Sequence, residues 1–319
     1  MQLLSVNNQS VVISGRIFRI AKMRDEPYEC VVDAPNFIEQ LKSAKSGADL
    51  FTFSQGIGET EPRYNFPLEW DNYAVLPITT YDNWFKNQID FKTRNKVRKC
   101  SKNGVELRVS ELTDDFVRGV QGIYDESPFV QGRKNWHYGK SLEEMKKMLG
   151  TFPERRMFVG SYLKDEMIGF IKLVYGGNVV HFMHIISKVA HRDKAPTNAL
   201  LAKAIEIAAG RKAAYLHFGI WSRRGLGVFK MNHSFIEHKV PRYFVPLTLQ
   251  GNAMLKLTLH RSLKSRIPED WIDRLVEWRN RWNAFRQRKE NREAYLGARS
   301  APKLEVAAKQ MAPKPQERG

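Results

Sequence analysis

The stretch Arg156–Ser187, RMFVGSYLKDEMIGFIKLVYGGNVVHFMHIIS, contains three apolar runs separated by the short polar segments KDE and GGN. Each run is rich in β-branched and aromatic residues, which favour strands. Connections this short allow only antiparallel neighbours, because a parallel pair needs a crossover of a dozen or more residues. The stretch therefore predicts an antiparallel meander of three strands.

The flanking segments extend this meander into a mixed sheet. Upstream, VELRVSEL predicts a strand that is followed by two helices. Downstream, HRDKAP predicts a loop, TNALLAKAIEIAAG a helix that ends at Gly210, AAYLHFGI a strand, and PRYFVPLTL a last strand, with a short extra strand at IEHKV. A strand–helix–strand crossover makes its two strands parallel, so strand 214–220 is expected to run parallel to strand 179–186. The sequence thus predicts an α/β chain with one mixed sheet and helices on both faces.

The chain is expected to have four parts. Residues 1–78 predict a small α/β segment, either a degenerate half-domain or a lid, with strands at VVISGRIFRIAKM, YECVV and ADLFTFS and a helix at PNFIEQLKSA. Residues 79–250 hold the mixed sheet. Over 251–298 we expect a basic amphipathic helix with apolar residues along one face. Over 299–319 we expect a disordered polar tail.

A large positive charge is the most unusual bulk property of the chain. It has 52 lysines and arginines against 34 acidic residues, a formal net charge of +18. Much of this charge lies on a helix predicted from Thr80 to Gly104. Such a surplus attracts polyanions: nucleic acid, anionic lipid, an acidic carrier protein or a phosphate-rich cofactor. Charge alone does not choose among them, and a plain solvated helix face has the same pattern.

Cys30 and Cys100 are the only cysteines, and neither has metal-ligand spacing, so we expect no disulfide framework and no metal site. The N-terminal sequence lacks a signal-peptide pattern, and the chain has no run of about 18 apolar residues. These features predict a cytoplasmic protein, with peripheral contact at the inner face of the membrane as an alternative.

Four stretches, in this order, carry a resemblance to a known fold. ADLFTFSQGI precedes YAVLPI, and WFKNQIDFKTRNKVRKCSKNGVELRVSEL, APTNALLAKAIEIAAGRKAAYLHFGI and GLGVFKMNHSF follow. They resemble the GNAT acyltransferase fold and, more narrowly, its FemAB-like branch, whose basic helix, helix-to-strand unit and Gly-Leu-Tyr-Arg-Phe-Lys-Arg-Gly-Phe signature they match in turn. The resemblance covers about residues 49–247 and implies a GNAT acyl-CoA N-acyltransferase fold.

The signature is not copied cleanly. Aligned without gaps on Gly227 and Phe235, its tyrosine falls on Phe229 and its lysine on Asn232. The general-acid tyrosine of the commoner GNAT signature falls on Lys230. We therefore expect Lys230 to contact the leaving group or a phosphate, and Asn232 to form a hydrogen bond on the acceptor side.

The resemblance also implies a donor cleft where strands 179–186 and 214–220 diverge. Backbone N–H groups of Ile185, Ile186 and Ser187 are then expected to polarise the donor carbonyl. The loop KVAHRDKAPTN has none of the glycines with which ordinary GNAT proteins approach a pyrophosphate, so a helix N-terminus and charged side chains must serve instead. The residues expected to bind the donor here are His191, Arg192, Lys194, Arg223, Gly225 and Gly227.

A general base needs a pKa near neutrality, which points to histidines on the diverging strands. His181, His184 and His217 are the candidates on these strands. Under strict alternation His181 and His184 point to opposite faces, so at most one of these two faces the cleft. The acceptor pocket is expected at the helix end and loop that contain Asp125, Arg133, Trp136 and His137.

The leading interpretation is an N-acyltransferase that moves an acyl group from acyl-CoA to the amine of a sugar, peptide or amino acid. Two alternatives stay open. The same fold can take its donor from aminoacyl-tRNA or acyl-carrier protein, as some FemAB-like members use tRNA. Alternatively, the chain is a non-catalytic nucleic-acid-binding protein, although no RNA-reading signature is present. Its basic faces suit tRNA or an anionic membrane surface as a partner.

Overall fold

The computed structural model describes residues 1–130, 133–222 and 225–260. Arg223, almost all of the helix expected over 251–298 and the tail over 299–319 lie outside the described residues. The chain divides into two compact units, one of residues 1–128 with 136–262 and one of residues 129–135 with 263–319. The first unit carries the sheet and the helices that position the candidate site.

The strands are short in the N-terminal part and long in the centre. Their bounds are β1 Gln2–Val6, β2 Gln9–Ser14, β3 Ile20–Met23, β4 Leu50–Ser54, β5 Leu68–Pro77, β6 Val105–Ser110, β7 Phe129–Val130, β8 Arg133–Lys134, β9 Arg156–Leu163, β10 Glu166–Gly176, β11 Val179–Ser187, β12 Tyr215–Ile220 and β13 Ile236–Pro246.

The helices are interspersed among these strands. The α-helices are α1 Ala34–Ser43, α2 Tyr81–Asn83, α3 Phe91–Lys102, α4 Asp114–Tyr124, α5 Leu142–Leu149, α6 Pro196–Gly210, α7 Leu226–Asn232 and α8 Leu249–Lys256. A π-helix spans Trp84–Gln88, and two 3₁₀-helices span Pro153–Arg155 and Val189–Lys194.

One sheet of eleven strands has the order β1-β2-β3-β4-β13-β5-β12-β11-β10-β9-β6, and β7 pairs with β8 separately. Within the described residues, β3–β4 and β11–β12 pair in parallel and the other neighbours are antiparallel. The predicted mixed α/β sheet, its meander β9–β10–β11 and the parallel neighbours β11 and β12 are confirmed. The strands of residues 1–54 continue the same sheet, because β4 pairs with the far half of β13. The division into domains stays a prediction.

Alternate residues of the central strands pack on opposite faces of the sheet. Phe158 and Phe170 join a core beneath α4 and α5, whereas Val159 and Ile171 join a core with α6. A third core, which includes Phe37, forms between α1 and strands β1–β4. Helices therefore cover both faces, as expected for a sheet whose central strands are apolar on both sides.

Two N-terminal expectations are wrong. YECVV forms turns and not a strand, because the N–H groups of Tyr28 and Glu29 donate to the carbonyl of Asp25 and not to a neighbouring strand. The helix predicted from Thr80 to Gly104 is broken into three pieces. Asp90 interrupts it by capping a new helix, with its carboxylate accepting from the Thr93 N–H at 2.6 Å.

Two later expectations also need correction. HRDKAP is not a plain loop: its first four residues belong to the 3₁₀-helix Val189–Lys194, and Ala195, with a left-handed φ of 57°, then turns the chain into α6. IEHKV and PRYFVPLTL are not separate strands, because β13 runs unbroken through Pro241 and bridges β5 and β4.

Candidate functional site

The candidate site begins where β11 and β12 separate. The two strands pair over three residues, from Val179 opposite Tyr215 to His181 opposite His217. Past that point β11 stays paired with β10 as far as Ser187, while β12 keeps its pairing with β5. Within the described residues, the β12-facing edge of β11 then has no strand partner. This wedge presents unpaired backbone N–H and C=O groups, which are strong ligands for a carbonyl or an amide.

Ile185, Ile186 and Ser187 lie on the strand that borders this wedge. All three pair with β10 on their other side, which holds them in a regular strand. The Ser187 hydroxyl lies 2.6 Å from the hydroxyl of Thr197 in the first turn of α6, so the end of β11 is joined to that helix. The expectation that their N–H groups polarise a carbonyl stays a prediction.

A β-bulge determines which histidines share a face. The register of β11 on β10 skips Met183, so that His184 lies opposite Lys172 and His181 lies opposite Val174. Because Lys172 and Val174 are two positions apart, both histidines face the same side of the sheet. The expectation from strict alternation, that they point to opposite faces, is therefore wrong: the bulge inserts one extra residue between them.

His181 and His217 form a buried pair at the vertex of the wedge. Their Nδ1 atoms are 3.1 Å apart, so one ring donates a hydrogen bond to the other. The rings of Tyr28 and Tyr73 pack edge-on against them, with centroids 5.4 and 5.0 Å away. Burial lowers the pKa of His181 to about 4 and the pKa of His217 to about 3. Both rings are therefore neutral at pH 7. They are weak bases at these pKa values, so either ring can take a proton only while a bound group stabilises the imidazolium.

His184 belongs to a second cluster on the same face. Its Nδ1 lies 3.3 Å from the Tyr124 hydroxyl, and the rings of His137 and Phe170 pack 5.7 and 6.3 Å away. Burial, followed by the charge of Lys172, lowers the pKa of His184 to about 3. This pKa is below the range that suits a general base at pH 7, so a catalytic role requires a bound group that stabilises the imidazolium.

Sequence reasoning missed Lys172 and Tyr124. Lys172 is fully buried on β10, with its Nζ 2.6 Å from the Thr151 hydroxyl, and burial lowers its pKa to about 8. A signal was present, because Lys172 interrupts the apolar run MIGFIKLVY, and a charged residue in a buried strand is rare without a purpose. Tyr124 gave no signal beyond its place at the end of an amphipathic helix.

Lys230 and Asn232 lie on different sides of α7. Lys230 is 3% exposed; its Nζ donates to the Ile220 carbonyl at 2.8 Å and lies 4.8 Å from the centre of the Phe218 ring. Burial lowers the pKa of Lys230 to about 8. Asn232 is exposed. Lys230 is thus the residue that contacts the diverging end of β12, and the roles assigned to both residues stay predictions.

The start of α7 needs two glycines, one at its N-cap and one in its first turn, for its own geometry. Gly225 has a φ of 56°, in the left-handed region. A Cβ at Gly227 would lie 1.7 Å from the carbonyl oxygen of Ser222. These glycines therefore let α7 start close to the end of β12, whether or not a donor passes nearby.

The segment expected to bind phosphates already holds an anionic group. The Glu126 carboxylate accepts hydrogen bonds from the N–H groups of Val189 at 2.5 Å and Ala190 at 2.8 Å. These are the first backbone donors of the 3₁₀-helix that leads into α6. A phosphate can therefore bind these N–H groups only after the Glu126 carboxylate has moved away from them.

The basic side chains of this segment differ in availability. His191 Nε2 lies 3.6 Å from Glu166 and Lys194 Nζ lies 3.2 Å from Asp193, whereas Arg192 is exposed. Helix α3 packs beside this segment and adds exposed cations. They are Lys92, Lys96, Arg98, Lys99 and Lys102.

Arg94 is part of α3 but does not belong to that basic surface. Its guanidinium donates to the carbonyls of Lys86 and Ile89 at 2.9 and 2.7 Å. It therefore caps the end of the preceding π-helix and has a structural role.

The residues expected to bind the acceptor lie in different local surroundings. The Asp125 carboxylate accepts from the Gly139 N–H at 2.8 Å and closes the loop that follows α4. His137 packs on Tyr124, with ring centroids 4.6 Å apart, and Trp136 is 78% exposed. Arg133 pairs through its backbone with Val130 in the hairpin β7–β8, which belongs to the second unit. His137 contacts the His184 cluster, because its ring lies 5.7 Å from the ring of His184.

Across the part of the chain that the structure describes, no three histidine, cysteine, aspartate or glutamate side chains are arranged to hold a metal ion. In the same residues, no helix combines the length and apolarity needed to cross a membrane.

The structure is similar to three solved structures. The C-terminal domain of a predicted lysylphosphatidylglycerol synthetase from Agrobacterium fabrum has a TM-score of 0.53 and 12% identity, covering 81% of this chain and 88% of that one. FemX has a TM-score of 0.51 and 11% identity, covering 73% and 83%. L-PGS from Bacillus licheniformis has a TM-score of 0.51 and 14% identity, covering 76% and 83%. No protein-family model and no curated protein sequence matches the chain. At these identities the likeness concerns the fold, and it confirms the GNAT fold in its FemAB-like form.

Proposed function

We propose that this chain, with the fold that it shares with FemX and the lysylphosphatidylglycerol synthetase domain, transfers an acyl or aminoacyl group from a carrier to an acceptor amine. The wedge between β11 and β12 is the observation that carries this proposal. It brings an unpaired backbone edge together with the neutral His181–His217 pair at its vertex and with Lys230 at the diverging end of β12. These are the groups that acyl transfer requires: oxyanion donors, a proton acceptor and a proton donor.

The proposed reaction assigns each group one step. The neutral acceptor nitrogen attacks the carbonyl carbon of the donor, and N–H groups on the edge of β11 stabilise the oxyanion. The new C–N bond forms as the bond from the carbonyl to the carrier sulfur or oxygen breaks. The leaving thiolate or alkoxide takes a proton from the Lys230 ammonium, whose pKa of about 8 suits this transfer. The proton that the nitrogen loses goes to His181 or His184.

Two donors remain candidates, and one observation separates them. Acyl-CoA is the donor implied by the fold in general, and it needs backbone N–H groups for its pyrophosphate. Here the N–H groups of Val189 and Ala190 are bonded to Glu126, and the surrounding charge lies on exposed side chains of α3 and Arg192. A donor held by side chains across a surface fits this arrangement better. We therefore favour aminoacyl-tRNA and keep acyl-CoA as the second candidate.

Donor binding tests this choice. We expect full-length protein to bind a tRNA with an amide-linked aminoacyl group, and Arg192→Glu with Lys194→Glu to weaken binding at least about tenfold and flatten its salt dependence. Lys22→Glu with Lys42→Glu, an equal charge change on β3 and α1, is the control and should have little effect. If acetyl-CoA binds more tightly than this tRNA, and Glu126→Gln strengthens its binding further, acyl-CoA is the donor. If neither carrier binds, the proposed function is wrong.

A further inference from the structure

A cavity of about 720 Å³ opens at the end of the sheet where β11 begins. Its walls come from the β1–β2 turn, from residues 27–33, from the loop around Ile57 and from the β10–β11 turn, and His181 also lines it. The cavity therefore reaches the vertex of the wedge from the side opposite to the end of β11 at Ser187. None of the acceptor residues expected from the sequence lines it.

The charge of this cavity is opposite to the charge of the chain. Three carboxylates, of Glu29, Asp33 and Glu59, line it against one guanidinium, of Arg155. Arg155 is paired with Glu29 at 2.8 Å, and Glu59 is paired with Arg63, which is outside the lining, at 3.0 Å. Within the described residues Asp33, which caps α1, is in no ion pair, so the surplus amounts to about one negative charge. Burial raises the pKa of the Cys30 thiol to about 11, and the charges of Glu26, Glu59 and Glu29 add to this effect. On a protein of net charge +18, a cavity with surplus acid selects for cations.

One nitrogen of His181 is directed to this cavity. Nδ1 is bonded to His217, whereas Nε2 lies on the side of Gly176: a Cβ added there would be 3.0 Å from Nε2. Gly176 also lines the cavity, so the absence of a side chain keeps a path open to Nε2. An amine in the cavity can therefore reach Nε2 of the buried histidine pair, which takes the proton of the amine once the nitrogen gains positive charge in the attack.

Two other uses of the cavity are disfavoured. No group of metal-ligating side chains capable of holding an ion occurs within residues 1–130, 133–222 and 225–260. Cys30 is a poor nucleophile at neutral pH, because its raised pKa keeps the thiol protonated. What remains is a polar, acidic cavity that ends at a proton acceptor.

We infer that this cavity binds a small cationic amine and is the acceptor pocket of the chain. One ammonium group of the ligand lies against the carboxylates, and a second amine, neutral when it attacks, faces His181 Nε2. The acceptor class is thus a molecule with two basic nitrogens, such as a diamine or a basic amino acid. Its role as acceptor rests on the proposed transferase function, whereas its binding does not.

Cys30 allows a test that needs no knowledge of the acceptor. The chain has two cysteines and Cys100 is 1% exposed, so thiol reagents report on Cys30. We expect a trimethylammonium-ethyl methanethiosulfonate to modify Cys30 at least about tenfold faster than the sulfonatoethyl reagent, after each rate is divided by its rate with 2-mercaptoethanol. Glu59→Gln should lower this ratio at least about threefold. Glu61→Gln, in the same loop but outside the lining, is the matched control, and Cys30→Ser should abolish labelling.

Ligand protection completes the test. Millimolar 1,4-diaminobutane should slow labelling of Cys30, 1,4-butanediol should not, and Gly176→Ala should weaken the protection. A normalised ratio of one or less, or equal protection by diol and diamine, would overturn the inference. If labelling is charge-selective and diamine protects Cys30 but no acyl transfer occurs, the cation site is supported and the transferase function is wrong. If acyl transfer occurs but labelling shows neither charge selectivity nor protection, the transferase function is supported and this pocket is not the acceptor site.

Discussion

Two buried lysines, Lys172 and Lys230, are the residues with the least expected surroundings. They are 0% and 3% exposed, and their Nζ atoms bond to the Thr151 hydroxyl and the Ile220 carbonyl. Within the described residues neither lies within ion-pair distance of a carboxylate. Burial lowers the pKa of both to about 8. An ammonium group without a counter-ion costs stability, and such costs concentrate at functional sites.

This arrangement predicts a pH-dependent stability. An unfolded lysine has a pKa near 10.4, so between about pH 8 and 10.4 each of these lysines binds more protons in the unfolded chain than in the folded one. Each lysine therefore contributes a rise in the free energy of unfolding with pH. Each lysine contributes at most about 1.4 kcal/mol per pH unit in this window. We expect urea unfolding at pH 8 and pH 10 to show that the change in the free energy of unfolding with pH is less positive in Lys172→Met and in Lys230→Met than in the parent. Met231→Leu, on the same helix as Lys230, is the control, and a pH dependence that is unchanged in both lysine variants would contradict the pKa assignments.

Single site residues were predictable where a chemically suitable side chain falls within a predicted strand or a recognisable motif. His181 and His184 stand out as histidines on predicted strands, and Lys230 lies in a recognisable motif. Glu126 was not predictable as a partner of Val189, because the two are 63 residues apart and meet only through the fold. The sequence also did not show that His181 and His184 face the same side of the sheet, because the bulge between them depends on pairing with the neighbouring strand.

Among the elements, α7 depends most on its first residues. Gly227 lies against the Ser222 carbonyl, so alanine there must push α7 away from β12 and take Lys230 with it. We expect Gly227→Ala to lower the free energy of unfolding by about 2 kcal/mol or more, as steric strain in a packed turn does. Gly122→Ala on α4 is the matched control. A Cβ at Gly122 meets no atom within 4 Å, so that change should stabilise the chain by about 0.5–1 kcal/mol.

Urea unfolding measures both glycine variants. Equal stability of Gly227→Ala and the parent would contradict the close approach at Ser222. A destabilised Gly122→Ala would instead question the placement of α4.

Elements were predictable where their cause is local. The meander follows from short turns between apolar runs, and α6 follows from an alanine-rich stretch that ends at a glycine. YECVV was misassigned because five residues with strand propensity also fit a series of turns, and only the pairing partners decide. The break at Asp90 was missed because the helix signals on either side hide a cap inside the run.

At the scale of the whole molecule, the sheet is larger than the sequence indicated. β13 pairs with both β4 and β5, and β5 pairs with β12, so strands distant in sequence become neighbours. Such long-range pairings cannot be read from hydrophobic periodicity, because the pattern of a strand shows which residues are buried and not which strand lies beside it. The predicted core from β6 to β13 was recoverable, whereas the continuation through β1–β4 was not.

Positive and negative charge lie at opposite ends of β11. Exposed cations of α3 and Arg192 lie beside the end of β11, whereas the acidic cavity lies at its start. This polarity suits a polyanionic donor at one end of the wedge and a cationic acceptor at the other. The proposed donor site and the proposed acceptor pocket thus lie at the two ends of β11, with His181 between them.

The most direct test of acyl transfer is a single-turnover assay. Full-length protein in excess is mixed with radiolabelled aminoacyl-tRNA or, in parallel, acetyl-CoA, together with 1,4-diaminobutane, amino acids and amino sugars as acceptors. We predict that label moves to an amine, and that Lys230→Met slows this step at least about tenfold, roughly 1.4 kcal/mol in the barrier, while Met231→Leu does not. If label leaves both carriers no faster than without protein while tRNA still binds, the chain is a nucleic-acid-binding protein and not a transferase.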